Sequence, residues 1–308
     1  MPVFLPHREL GRTGFRVTRL GAGDLADRQL PLETCAVTLR RALDAGINLV
    51  DTAPGYEDGY SEEIVGAALQ GRRSRVFLID KIDLLDKPVA PQVDESLKRL
   101  RLDNVDCFVF HAVSKMEEWR RLLANGGAFD ELAACVKAGK ARFRGISSHH
   151  PDVCRAAIES GLCDVLMFPI GPFVHPHYIE EILPLAKLRG VGSVCFKTFG
   201  AGKLVGDTTG YNRPLAQRPR GKISSGGSNT AEPQLPRLSV EECVRYTLTL
   251  NPDVALLGLS FPNEQDAAFA AAENFQPMSP EELAETRRRA AVAIQDKGEC
   301  WWNPSSKD

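Results

Sequence analysis

Asp51, Tyr56, Lys81 and His111 are four residue types that can reduce a carbonyl group if the chain brings them to one place. A tyrosine hydroxyl, with an ordinary pKa of about 10, can hand a proton to a developing alkoxide, and a neighbouring ammonium lowers that pKa toward neutrality. Lys81 is the candidate ammonium, and Asp51 the carboxylate that would keep it charged. The imidazole of His111 can hydrogen-bond the carbonyl oxygen and stabilise the charge that builds as hydride arrives. No side chain supplies a hydride, so this chemistry needs a nicotinamide. Singly, each residue has a plainer role: a rim ion pair, a surface tyrosine, a hydrogen-bonded rim histidine. The case rests on the four together.

What must position them is legible in the pattern around them. Short runs rich in Val, Ile, Leu and Phe alternate with stretches of helical period, which predicts βα units and a parallel sheet. The candidate strands cover residues 17–23, 47–51, 76–80, 105–110, 141–147, 164–168, 191–196 and 254–259. Gly46, Gly139, Gly161 and Gly190 each end a helical stretch just before a strand, where a left-handed residue suits the helix terminus. Eight unbroken units with continuously apolar strands predict an α/β fold of the (β/α)8 TIM-barrel type. In such a barrel the C-terminal strand ends form the active face. Here those ends carry Asp51, Asp80 with Lys81, His111, Ser147 with Ser148 and His149, and Lys197, so the candidate groups converge on one mouth.

Three pieces fall outside the eight units, within what reads as a single domain over 1–308. Residues 7–15 predict a hairpin, turning at Thr13 and Gly14, that closes the bottom of the barrel. Residues 206–237, rich in Gly, Pro and Ser, predict a long loop. From Ser279 a C-terminal helix begins with a Ser279/Glu282 capping box and leads to Trp301 and Trp302, which either cover the mouth or pack on the barrel wall.

The 43% apolar and 25% charged composition is that of a globular protein, and the net charge of −2 offers no basic field to nucleic acid. MPVFLPHREL lacks a signal-peptide core and no later run approaches the roughly 20 apolar residues of a membrane span, so a cytoplasmic protein without a membrane partner is expected. The eight cysteines are scattered without C-x-x-C pairs, as buried thiols rather than disulfides or a metal cluster. His175 and His177 have metal-ligand spacing but no third ligand, and no metal is expected. GAGDLA, Gly21 to Ala26, imitates a dinucleotide fingerprint, but the helix after it begins several residues late, near Pro31 or Leu32. GAGKL, Gly200 to Leu204, lacks the spacing of a Walker loop.

The pattern D-x-A-x-x-Y from Asp51 to Tyr56, Lys81 closing one strand and His111 closing the next resemble the catalytic tetrad of the aldo-keto reductases. The resemblance spans nearly the whole chain: R-x-L-G-x-T-G from Arg8, V-x-x-L-G-x-G, D-A-G-I-N-L-V-D-T-A, S-E-E-x-V-G-x-A-L, E-S-L-x-R-L and R-G-I-S-S. It implies a (β/α)8 oxidoreductase acting on a small carbonyl compound or alcohol, with Asp51, Tyr56, Lys81 and His111 as the tetrad. By position, Ser147 and Ser148 would meet the nicotinamide amide and Phe196 would stack on its ring. Lys197, Gly200, Gly202 and Leu204 would line the pyrophosphate, and Gly258, Ser260 and Gln265 the adenosine end. The chain departs from the family at Met167, where a glutamine commonly grips the amide, at Ser148, often asparagine, and at Gln265, often arginine. The last removes a charge-assisted partner for a 2′-phosphate, so NADP(H) is favoured by resemblance and NAD(H) is the alternative. The same fold serves as a cofactor-binding partner of membrane channels, which makes a regulatory or redox-sensing subunit the second reading. A phosphosugar barrel without nicotinamide is disfavoured, because no clear phosphate-binding glycine motif follows the last two strands.

Overall fold

A computed structural model describes residues 3–23, 28–205, 236–260 and 262–303. A hairpin of β1 (Arg8–Glu9) and β2 (Arg16–Val17) precedes eight parallel strands: β3 (Leu20–Gly23), β4 (Leu49–Asp51), β5 (Phe77–Ile82), β6 (Cys107–Phe110), β7 (Phe143–Ser147), β8 (Val165–Pro169), β9 (Gly192–Phe196) and β10 (Val254–Gly258). These eight close into a barrel, with β10 returning to pair with β3. Helices α1 (Leu32–Asp44), α2 (Tyr60–Leu69), α3 (Val89–Leu100), α4 (Met116–Leu122), α5 (Ala128–Lys137), α6 (Pro151–Glu159), α7 (Leu183–Leu188), α8 (Val240–Leu250), α9 (Pro262–Glu273) and α10 (Pro280–Ala293) follow in chain order. This is the expected (β/α)8 barrel.

Strand alternation divides the core in two. Leu49, Phe77, Ile79, Cys107, Val109, Val165, Met167, Val194, Val254 and Leu256 fill the barrel interior, and Leu10 and Val17 from the hairpin plug its bottom. The opposite parity, Leu78, Ile82, Phe108, Phe110, Leu166 and Phe168 among others, packs outward against the helices. Each such side chain contributes roughly 1.5–3 kcal/mol through removal from water. Close strand contact has its own requirement at Gly145, where a Cβ would lie 1.8 Å from the Val165 carbonyl oxygen. Any larger residue there forces β7 and β8 apart.

The helices follow from their apolar spacing. In α3, Val89, Val93, Leu97 and Leu100 fall on one face and are buried, and the helix ends at left-handed Arg101, φ 55°. Ser279 caps α10 as expected, its Oγ accepting the Glu282 N–H at 3.2 Å.

Several boundaries differ from expectation. Val17 belongs to the hairpin, pairing with Arg8, so the first barrel strand begins at Leu20 rather than at residue 17. The strand expected over 105–110 begins at Cys107, because Asp106 turns its carboxylate back to accept the Leu78 N–H at 2.9 Å. The strand expected from residue 141 begins at Phe143. Of the loop expected over 206–237, residues 206–235 lie outside the described residues, as do Asp24, Leu25 and Ala26 of the GAGDLA segment and Asp27 after it. The helix after that segment starts at Leu32, as the late start required. Seven cysteines are buried, Cys300 is partly so, and all are free thiols. Among the described residues no helix is long and apolar enough to cross a membrane.

Candidate active site

The interior parity, followed to the mouth, delivers the candidate residues. Asp51 continues from Leu49, Lys81 from Phe77 and Ile79, and His111 from Cys107 and Val109, each pointing where the apolar interior stops. Lys81 is 2% exposed; its Nζ donates to Asp51 Oδ2 at 2.7 Å and to the Thr52 carbonyl at 2.8 Å. It also sits 4.4 Å from the Tyr56 ring centroid. Burial opposes charge on Lys81, but the Asp51 carboxylate and the Tyr56 hydroxyl together outweigh it and hold the ammonium above its ordinary range.

Tyr56 reaches this point because the loop after β4 turns sharply. Its N–H donates to the Ala53 carbonyl at 3.1 Å, Ser61 N–H returns to the Tyr56 carbonyl at 3.3 Å, and Glu57, Asp58 and Gly59 all take positive φ before α2 starts. Thr52 Oγ1 donates to Ser61 Oγ at 2.8 Å and pins the turn to the helix. The nearby Tyr60 faces away, its hydroxyl donating to the Leu30 carbonyl at 2.8 Å. The rings of Tyr56 and His111 meet edge to face at 5.7 Å.

One residue at the mouth escaped the sequence reading. Asp83 accepts from His111 Nδ1 at 2.6 Å through Oδ1 and from the Gly55 N–H at 2.6 Å through Oδ2. Its signal was present, since it lies two residues beyond Lys81 on the same strand parity. Asp80, grouped with Lys81 at the mouth by the sequence reading, instead has the outward parity. It is fully buried against α2, where burial first and then the Glu62 carboxylate raise it well above the ordinary carboxylate range.

The cofactor candidates are distributed as follows. Ser147 ends β7 at the mouth, and its Oγ accepts the Ala112 N–H at 2.8 Å, just past His111. Ser148 is fully buried and exchanges hydrogen bonds with the His150 backbone at the start of α6, its Oγ accepting at 3.1 Å and donating at 3.3 Å. Met167 is an interior core residue, and Phe196 is half-buried at the top of β9 with its ring 5.1 Å from that of His149. The His149 imidazole is pushed down to about 3 by burial and then by Lys197 and His111, and so is neutral. Lys197, in a left-handed conformation, lays its ammonium within 5.0–5.5 Å of the Phe196, Trp301 and Trp302 rings. Gly200 and Gly202 also take positive φ, folding the segment so that Leu204 is buried. Gly258 ends β10, and Ser260, 6% exposed, donates its N–H to Glu264. Gln265 is fully buried; its Nε2 donates to the Thr38 and Leu259 carbonyls at 2.7 and 3.1 Å, and its Oε1 accepts from Arg41 at 3.4 Å. Its amide thus ties α9 to α1.

The C-terminal tail covers the mouth side. Trp302 is fully buried, its Nε1 donating to the Phe173 carbonyl at 2.9 Å, and Lys203 Nζ donates to the carbonyls of Lys297 and Glu299 at 2.6 and 2.8 Å. Asn303 Oδ1 accepts the His175 N–H at 2.9 Å, and the His177 ring pairs with Glu181 at 3.5 Å. Among the described residues no group of three or more metal-ligating side chains assembles.

A profile of the Aldo/keto reductase family matches residues 19–288. Aldo-keto reductase YhdN of Bacillus subtilis (strain 168) is 28% identical over 310 residues, covering 85% of this chain and 87% of that protein. A probable voltage-gated potassium channel subunit beta of Oryza sativa subsp. japonica is 29% identical over 284 residues, covering 83% and 80%. In fold, the chain superposes on an aldo-keto reductase from Klebsiella pneumoniae crystallised with NADPH, with a TM-score of 0.68 at 19% identity over 96% and 98% of the two chains. The barrel, its closing hairpin and a family match across most of the length agree: this chain belongs to the aldo/keto reductase family of oxidoreductases.

Proposed function

We propose that the protein interconverts an aldehyde or ketone with its alcohol, with NADP(H) favoured over NAD(H), and with Tyr56 as general acid in reduction and general base in oxidation. The observation that carries this reading is the buried Lys81 ammonium, held by Asp51 and lying against Tyr56. A bound nicotinamide would supply or accept the hydride. The residues fit such a group: Thr198 Oγ1, in the turn after β9, is buried without a partner among the described residues. Ser147 likewise accepts from Ala112 yet has a hydroxyl hydrogen left to donate. Ser147, Ser148, Met167 and Phe196 would hold the nicotinamide end. Lys197, Gly200, Gly202 and Leu204 would line the pyrophosphate, and Gly258, Ser260 and Gln265 the adenosine. The NADPH-bound structural neighbour supports the cofactor class.

In reduction, Tyr56 gives its proton to the substrate oxygen, and the phenolate left behind is stabilised by the Lys81 ammonium at its ring. Asp51 keeps that ammonium charged in a dry setting. His111 orients the oxygen.

The test is oxidation of NADPH and of NADH by the purified protein with a panel of aldehydes and ketones, beside Tyr56→Phe. Turnover in the variant should fall about 10²- to 10⁴-fold, with cofactor affinity by calorimetry unchanged; a variant as fast as the parent overturns the reading. The potassium-channel subunit among the relatives favours a second reading, a cofactor-binding regulatory or redox-sensing subunit. Tight cofactor retention with negligible turnover and recovery in a large assembly would select it.

A further inference from the structure

Asp83 touches both sides of the candidate site at once. It follows β5 on the interior parity, two residues past Lys81, and its side chain is 21% exposed. One oxygen receives His111 Nδ1 and the other receives the backbone N–H of Gly55, the residue before Tyr56, both at 2.6 Å. The approach at Gly55 leaves no room for a side chain, since a Cβ there would lie 2.5 Å from Asp83 Oδ2. We propose that Asp83 is a positioning residue that sets the protonation pattern of His111, fixing hydrogen on Nδ1 and leaving Nε2 to meet the substrate oxygen. The inference rests on the reading of Tyr56 and His111 as carbonyl chemistry.

The argument is one of donors and acceptors. Burial raises Asp83, but the His111 hydrogen bond and charge, Lys81 and the Gly55 N–H outweigh it, so its carboxyl stays below the ordinary range and is ionised at neutral pH. A carboxylate only accepts, so the hydrogen of this pair belongs to Nδ1. His111 Nε2 has no partner among the described residues and is not sealed from solvent.

A neutral His111 of this kind presents a bare Nε2, which accepts hydrogen bonds and gives none. Carbonyl reduction needs a donor at the oxygen where negative charge grows, so His111 serves reduction as the imidazolium, with N–H on both nitrogens. Alcohol oxidation passes through the same arrangement in reverse, the substrate hydroxyl giving its hydrogen to Tyr56 while His111 Nε2–H stays on the oxygen. Asp83 thereby ties turnover in both directions to a proton on His111. The groups facing that ring are Asp83 just after β5, Tyr56 from the loop after β4, and the neutral His149 from the loop after β7, while Lys81 of β5 acts on Asp83.

Asp83→Asn reverses the pattern. The Gly55 N–H requires an oxygen, so the amide turns its Oδ1 there and its NH2 toward His111 Nδ1, which must then be bare, with the hydrogen on Nε2. Nitrogen-15 spectra of histidine-labelled protein, with His111 assigned by loss of its signal in His111→Gln, read this directly and need no turnover. The neutral ring should be Nδ1–H in the parent and Nε2–H in Asp83→Asn; the same tautomer in both overturns the proposal. In parallel, turnover should fall with rising pH in the parent, as the hydrogen on Nε2 is lost, and vary less with pH in Asp83→Asn, whose neutral ring keeps that hydrogen. A variant profile that tracks the parent also overturns it. If Asp83→Asn fails to fold, Asp83→Ala carries the same test, since it too removes the Nδ1 acceptor. Tyr56→Phe separates the two claims: should it turn over normally, the proposed function falls while the spectra still judge Asp83.

Discussion

Residues 80 and 81 are neighbours on one strand, yet they build two opposite electrostatic environments. Inward, Lys81 and Asp51 form a matched pair, both almost fully buried and both charged. Outward, Asp80 meets another carboxyl, Glu62, which is itself fully buried and has Arg99 at 2.8 Å. Burial raises both acids, so this cluster keeps a proton that the inner pair gives up. Two acids facing one guanidinium cannot both ionise without water. The difference teaches that burial alone does not set charge at this barrel; the partner does, and the inner pair is the one whose charge the chemistry needs.

Lys81→Met should break the comparison most strongly. It strands Asp51 without a cation and should cost about 3–5 kcal/mol of stability by urea denaturation, together with loss of turnover; a cost under about 1 kcal/mol would show that the inner pair is not a matched unit. Asp80→Asn should act in the other direction. Its oxygen can still accept the Lys81 N–H, now at 2.8 Å from Asp80 Oδ1, while its NH2 supplies the hydrogen that the acids shared. Because the folded-state value of Asp80 is raised, its contribution is present below the ordinary carboxylate pKa of about 4 and drains away as pH rises through the raised value. The variant should therefore match the parent in acid and exceed it by about 1–3 kcal/mol at neutral pH; no divergence with pH contradicts a protonated outer pair. Arg99→Met should have the smallest effect, about 1 kcal/mol, since Glu62 can take up a proton rather than remain a lone charge. A loss as large as that of Lys81→Met would mean that the outer cluster is ionised after all.

The barrel was legible because its signals are local: apolar runs, closing glycines and the capping box at Ser279 each need only a few residues of chain. Boundaries failed where side chains from elsewhere intervened. Val17 was drawn into the hairpin with Arg8, and Asp106 ended pairing ahead of Cys107 by binding Leu78. At the mouth, residue types at strand ends were enough to find Asp51, Tyr56, Lys81 and His111 as a group. Residue type alone does not tell the two faces of a strand apart: Asp80, next to Lys81, points outward to Glu62, and Asp83, two residues past Lys81, points to His111. The Asp83 contact with Gly55 joins positions 28 residues apart, which spacing alone does not reveal. Gln265 reads from the sequence as an adenosine contact without the family's arginine charge, and in the structure its amide also ties two helices together.

The C-terminal fold-over also equips the protein with an optical reporter. Of its three tryptophans, Trp119 is sealed into α4 against Phe129, whereas Trp301 and Trp302 stand beside Lys197 at the mouth. Near-ultraviolet emission from that pair will be quenched by energy transfer to any reduced nicotinamide that enters, so occupancy can be followed in the native chain without a dye.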